Sequence, residues 1–106
     1  MSNFTNIVSA SIVVYNNLFS EIESLIKVLQ SVKIKTYIID NSAQNDIQSY
    51  LPSDINIEYI FTGKNLGYGK AHNIAINKSI DNKYKYHIVL NPDIEAKQRS
   101  EEHTSE

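Results

Sequence analysis

Cysteine is absent from the chain. That excludes a disulfide framework and any thiolate metal centre, and it fits a reducing, cytoplasmic setting. An excess of one charge is absent too: 10 Lys and Arg stand against 12 Asp and Glu, with the lysines scattered. A nucleic-acid stripe or a face for anionic membranes needs clustered positive charge, so neither is expected. No apolar run approaches the roughly 18–20 residues of a membrane span. Met1 to Asn6 offers neither the basic nor the apolar segment of a secretory signal. Glycine is scarce, with 3 in the chain, and its placement rules out two phosphate-binding motifs. A Walker loop requires G-x-x-x-x-G-K-[ST]; Gly63 and Gly69 are one residue too far apart, and Ala71 stands where the hydroxyl belongs. The dinucleotide fingerprint G-x-G-x-x-G belongs after a first strand; Gly67-Tyr68-Gly69 follows a third, and His72 occupies the last position.

What is present suits one small α/β domain: 106 residues, 42% of them hydrophobic and 21% charged, as in a soluble globular chain. The domain is expected to span residues 1–98. Residues 99–106, Arg99 to Glu106, read as a foreign tail. Back-translated, they match the start of a common sequencing adapter, and they hold the only arginine in a chain otherwise rich in Ile, Asn and Lys. The natural reading frame is expected to continue after about Gln98.

Periodicity predicts the elements. Ile7 to Val14 is an uncharged β-branched run, the pattern of a strand buried on both faces. Leu18, Ile22, Leu25, Ile26 and Leu29 recur at helical spacing. With Ser20 and Glu23 as a capping box, they predict a helix over Glu21 to Ser31. Thr36 to Ile39 predicts a second strand, ended by the turn-forming Asp40-Asn41-Ser42. Ile47 to Leu51 predicts a helical turn before Pro52, and Ile55 to Phe61 a third strand. Tyr68 to Ser79 follows as a helix, and Tyr86 to Leu90 as a fourth strand stopped by Asn91-Pro92. Strands alternating with helices imply a Rossmann-like α/β fold with a mostly parallel sheet and flanking helices.

In such a sheet ligands bind outside the carboxyl ends of the strands. Four polar clusters fall there: Tyr15-Asn16-Asn17, Asp40-Asn41-Ser42, Thr62 to Gly67, and Asn91-Pro92-Asp93. With strand order 3-2-1-4, Tyr15, Asp40 and Asp93 line one crevice. Each cluster alone is equally well read as a turn; four together favour a site. Asp40, Asp93 and Glu95 are the residues suited to acid or metal chemistry. His72 and His87 form no metal constellation, and His87, inside a strand, reads as a structural imidazole.

Four stretches, in order, resemble family 2 glycosyltransferases of the GT-A fold: SIVVYNN from Ser11, YIIDNSAQND from Tyr37, GKNLGYGKAHNIAI from Gly63 and HIVLNPDI from His87. The Asn-Pro-Asp form is similar to the rhamnosyltransferase-like branch. The resemblance covers most of residues 7–95 and implies the N-terminal, donor-binding half of such an enzyme, acting in polysaccharide biosynthesis. It implies a dTDP- or UDP-sugar donor, a glycan or lipid-linked acceptor and a divalent cation, Mg2+ or Mn2+. In that reading Tyr15 packs on the nucleobase, Asp40 accepts from the pyrimidine N–H, and Asn16, Asn41 and Asn91 contact the nucleotide. Lys64 meets the diphosphate or is simply solvated. Asn65 and Gly67 shape the loop, and the helix after Gly67 favours negative charge. Asp93 holds the cation; Asn91, in place of an aspartate, supplies no charge. The catalytic base and acceptor pocket of the family come from the later half, so this chain is expected to bind donor without transferring sugar. No nucleic acid and no transmembrane segment are expected. The expected location is cytoplasmic, with a peripheral place at the inner face of the membrane open to the full-length protein. Two other readings are an α/β nucleotidyltransferase, disfavoured by the lack of Gly in Tyr15 to Leu18, and a non-catalytic nucleotide-binding or regulatory domain.

Overall fold

The run that reads as a doubly buried strand becomes the centre of the sheet. In the computed structural model, which describes residues 7–92, β1 (Val8–Val14) is buried at every position. It pairs in parallel with β2 (Lys35–Asp40) on one side and β4 (Tyr86–Leu90) on the other, and β2 pairs in parallel with β3 (Ile57–Phe61). The sheet has 4 strands in the order β3-β2-β1-β4. This is the Rossmann-like α/β arrangement that the sequence suggests, with the strand order under which the polar clusters share one edge. Residues 99–106, together with Asp93 and Glu95, lie outside the described residues.

Side chains alternate across a strand, and β1 divides accordingly. Val8, Ala10, Ile12 and Val14 join Ile22, Ile26 and Leu29 beneath α1 (Glu23–Ser31) and meet Ile38 of β2. On the opposite face, Val13 joins Tyr37, Ile39, Ala71 and Ala75 beneath α2 (Tyr68–Asp81). Ile12, Ile22 and Ile38 are fully buried, each worth about 1.5–3 kcal/mol relative to exposure. The α2 face contains two serines, Ser9 and Ser11, both fully buried.

Both helices end alike. Lys33 and Lys83 adopt left-handed φ of 61° and 64°. The next residue's N–H then donates five residues back, Ile34 to the Leu29 carbonyl and Tyr84 to the Ser79 carbonyl, at 3.0 and 3.1 Å. These bonds satisfy carbonyls the helix leaves open and turn the chain into β2 and β4.

Element ends differ from expectation by a few residues. The Ser20–Glu23 capping box does not form, because Phe19–Glu21 is a 3-10 turn and the α-helix begins at Glu23. Glu21 caps that turn instead: its Oε1 accepts from the Leu18 N–H at 2.9 Å and from Asn17 Nδ2 at 3.0 Å. These two bonds, the Asn17 one first, hold the Glu21 carboxyl below the usual range. Ile55 is 90% exposed and precedes β3, which starts at Ile57. Among the described residues no helix is long and apolar enough to cross a membrane.

Candidate functional site

The strand register brings the carboxyl ends level. Val14 lies opposite Asp40, and Asp40 opposite Phe61. The chain therefore leaves β1, β2 and β3 at one edge of the sheet, and β4, whose Leu90 lies opposite Ile12, leaves at the same end. Three of the polar clusters are interlocked there. The Asn41 N–H donates to the Val14 carbonyl at 2.8 Å, and the Asn16 N–H to Ser42 Oγ at 2.7 Å. Asn16 has a left-handed φ of 58°, a conformation that asparagine tolerates better than most residues. The Thr62 N–H donates to the Asp40 carbonyl at 2.9 Å. Its hydroxyl lies within 3.0 Å of the Asp40 carbonyl, Asn41 Oδ1 and the Lys64 carbonyl, and can donate to one at a time.

Asp40 is 1% exposed, and its carboxylate is held from two sides. Oδ1 accepts the Ser42 N–H at 3.0 Å, and Oδ2 accepts the Tyr59 hydroxyl at 2.6 Å. Burial, then the hydrogen bond to Asp40 and the charges of Asp40 and Asp46, push the Tyr59 phenol well above its ordinary value. A carboxylate offers about four acceptor positions, so Asp40 keeps acceptor capacity for a ligand. It lines a cleft of about 320 Å3 between the ends of β1 and β2, together with Asn16, Asn17, Phe19, Ser42 and Tyr50. The aromatic wall is Phe19 and Tyr50, stacked with centroids 5.8 Å apart. Tyr15 is 47% exposed and stands outside this lining.

The β3–α2 loop approaches from the other side. Asn65 Oδ1 accepts the Gly67 N–H at 2.9 Å, closing a local turn, and Asn41 Nδ2 makes a long 3.5 Å contact to the Gly67 carbonyl. Gly67 has φ 82° and ψ 160°, a region almost exclusive to glycine. A Cβ there would meet no atom within 4 Å, so any cost of a side chain is backbone strain. Gly67→Ala is expected to destabilise the chain by about 1–3 kcal/mol, measured by urea unfolding. A neutral result would mean that the loop readily takes another conformation. Lys64 is exposed.

Behind β1, on the α2 face, lies a polar row that is buried at the serines and His72 and half-buried at His87 and Asn91. Ser9 Oγ is 2.8 Å from Ser79 Oγ and 2.7 Å from His87 Nδ1. Ser11 Oγ is 2.9 Å from His87 Nε2 and 2.7 Å from His72 Nδ1, and His72 Nε2 is 3.4 Å from Asn91 Oδ1. Thus the structure joins Asn91 to His72, a link invisible in the sequence. Burial holds both imidazoles below their ordinary value, opposed at His72 by the Asn91 hydrogen bond and reinforced at His87 by neighbouring His72. A histidine depressed in the folded state takes up its proton more readily when unfolded. The row's contribution is therefore complete above about pH 6.5 and is lost as pH falls below that value. The melting temperature is expected to fall from pH 7 to pH 5, and less steeply in His87→Gln. Equal slopes would contradict the assignment.

Among the described residues no group of three or more His, Asp or Glu side chains is placed to hold a metal. The expected ligand, Asp93, lies outside them.

The fold and these strand ends define a parallel α/β domain with a polar crevice at the carboxyl edge, the place where such sheets bind ligands. Over 59 residues the chain is 36% identical to the low-salt glycan biosynthesis hexosyltransferase Agl10 of Haloferax volcanii, a stretch covering 55% of this chain and 19% of that protein. The match thus spans about a fifth of the relative's length. No family model matches the chain, and no solved structure matches it.

Proposed function

We propose that the strand-end crevice binds a nucleoside diphosphate sugar, and that the chain is the donor-binding half of a family 2 glycosyltransferase close to the rhamnosyltransferase-like branch. The observation that carries this reading is Asp40, a buried carboxylate that borders an open cleft and retains acceptor capacity. A pyrimidine presents an N–H on its edge and two apolar faces. Asp40 would accept that N–H, as only an edge acceptor can, while an aromatic face packs on the ring. The cleft, about 320 Å3, is at the small end of ligand pockets, roughly 300–1,000 Å3. It suits the nucleoside; the diphosphate would lie outside it, along the strand ends between Gly67 and Asn91.

Lys64, Asn65 and the first N–H groups of α2 would favour the diphosphate's charge. A divalent cation would rest on Asp93 and on the diphosphate's own oxygens; donor recognition by the described residues is derived without one. In this reading the donor is a dTDP- or UDP-sugar, and the full-length protein passes the sugar to a glycan or lipid-linked acceptor. The 106-residue chain binds donor without transferring it, and transfer above background by the purified chain would overturn that statement.

One observation favours a second reading. Both Asp40 oxygens already serve internal hydrogen bonds, as they would in a non-catalytic domain whose strand-end groups only make turns. Thermal shift with UDP or dTDP plus Mn2+ separates the two. Stabilisation that disappears in Asp40→Asn and in Asp93→Asn supports the donor site, whereas no shift in a folded chain supports the second reading.

A further inference from the structure

Serine at two successive inward positions of a central parallel strand is unusual, because that surface normally carries Val, Ile or Leu. Here Ser9 and Ser11 are fully buried, and His72 and Ser79 are 6% and 4% exposed. Buried polar groups are costly unless paired, and these are paired in sequence, from Ser79 through Ser9, His87 and Ser11 to His72, ending at Asn91. The row begins beneath the last turns of α2 and ends at the crevice.

Counting protons leaves the row two senses. A neutral imidazole has one donor and one acceptor nitrogen, and a hydroxyl has one proton that rotates to suit its neighbours. With the Asn91 carbonyl oxygen 3.4 Å from Nε2, in one sense of the row His72 donates from Nε2–H and accepts at Nδ1 from the Ser11 hydroxyl. Ser11 in turn accepts from His87 Nε2–H. In this sense His87 accepts at Nδ1 from the Ser9 hydroxyl and the Ser79 hydroxyl turns to donate to Ser9, whereas a Ser9 hydroxyl that donates to Ser79 belongs to the opposite sense. Every group in the first sense of the row is satisfied with both rings neutral. The opposite sense would need the Asn91 amide turned so that its NH2 donates to His72 Nε2.

We infer that His72 is a positioning residue: it takes the Asn91 carbonyl and leaves the Asn91 amide NH2 free to donate to an oxygen of the bound diphosphate. This rests on the donor-site reading. It gives Asn91 a role suited to an uncharged residue, because an amide whose oxygen is engaged is a pure donor, matched to an anion. The serine–histidine row serves to keep His72 in the one tautomer that achieves this.

Two measurements on the full chain test it. Long-range 1H–15N spectra of the imidazoles should show Nε2–H tautomers for both His72 and His87; an Nδ1–H tautomer at His72 would overturn the inference. Binding of dTDP and of thymidine is then compared in wild type, His72→Phe, His72→Gln and Asn91→Ala. His72→Phe and Asn91→Ala should each weaken dTDP roughly tenfold, the worth of one hydrogen bond, with thymidine unaffected. The double variant should lose no more than either single one. His72→Gln, which can still donate, should recover part of the loss. A purely structural His72 would weaken both ligands together, and that result, or an unchanged dTDP affinity in His72→Phe, overturns this inference alone. A wild-type chain that binds neither ligand overturns the donor-site reading and the ligand assigned to Asn91 with it.

Discussion

Asp40→Asn is expected to weaken UDP or dTDP binding by about 10–100-fold and to destabilise the fold by about 1–3 kcal/mol. The two effects share one cause. The carboxylate accepts from the Tyr59 hydroxyl at 2.6 Å and from the Ser42 N–H at 3.0 Å, and in the proposed complex from the base as well. An amide can present its oxygen to only one side, so its NH2 must face a donor. A hydrogen bond to a charged group is worth about 1.5–3 kcal/mol, and a buried donor left alone costs a similar amount. Tyr59→Phe separates structure from binding. It removes one hydrogen bond and leaves the carboxylate in place, so it should cost about 1 kcal/mol while holding nucleotide affinity. Urea unfolding and calorimetric titration on both variants give the comparison. Equal affinity losses in Tyr59→Phe and Asp40→Asn would mean that the pair acts only through the fold.

Ser11→Ala should be more damaging to the fold than any surface change. The hydroxyl bridges His72 Nδ1 at 2.7 Å and His87 Nε2 at 2.9 Å, behind a strand that is buried throughout. Removing it strands a buried nitrogen of His72 and a half-buried one of His87, and an unsatisfied buried group costs about 1–3 kcal/mol. A total of about 2–5 kcal/mol follows, a large share of the roughly 5–15 kcal/mol that holds a typical domain folded. The unfolding midpoint in urea should drop accordingly with the slope unchanged. A loss within about 0.5 kcal/mol, the range of ordinary surface substitutions, would show that water replaces the hydroxyl and that the row is not dry.

The architecture was legible because it depends on local pattern. An uncharged β-branched run, a helical repeat ending at Leu29 and polar residues after each strand suffice for four parallel strands with flanking helices. What escaped depends on partners far apart in sequence. Ser9 and Ser11 read as harmless members of an apolar run, yet their imidazole partners are 78 and 61 residues away, and no periodicity connects them. Tyr59 reads as one apolar residue of a strand face; its hydroxyl reaches Asp40 only because β3 pairs in register with β2. Phe19 and Tyr50 sit on short 3-10 turns, too brief for a repeat, so no pattern in the sequence marks them as the aromatic wall of the cleft. Among the expected site residues, Asn16 and Asp40 meet in the cleft, Asn41 and Gly67 touch at its border, and Asn91 is tied to His72.

The central claim is that the carboxyl edge of this sheet is a nucleotide site, and an NMR titration of the 15N-labelled chain with dTDP tests it most directly. The account predicts saturable shifts at the amides of Asn16, Asp40, Ser42 and Gly67, with Val8, Lys35 and Tyr86, at the opposite ends of their strands, unmoved. A folded chain whose strand-end amides stay fixed at millimolar dTDP, or whose shifts cluster at the strand starts, would contradict it.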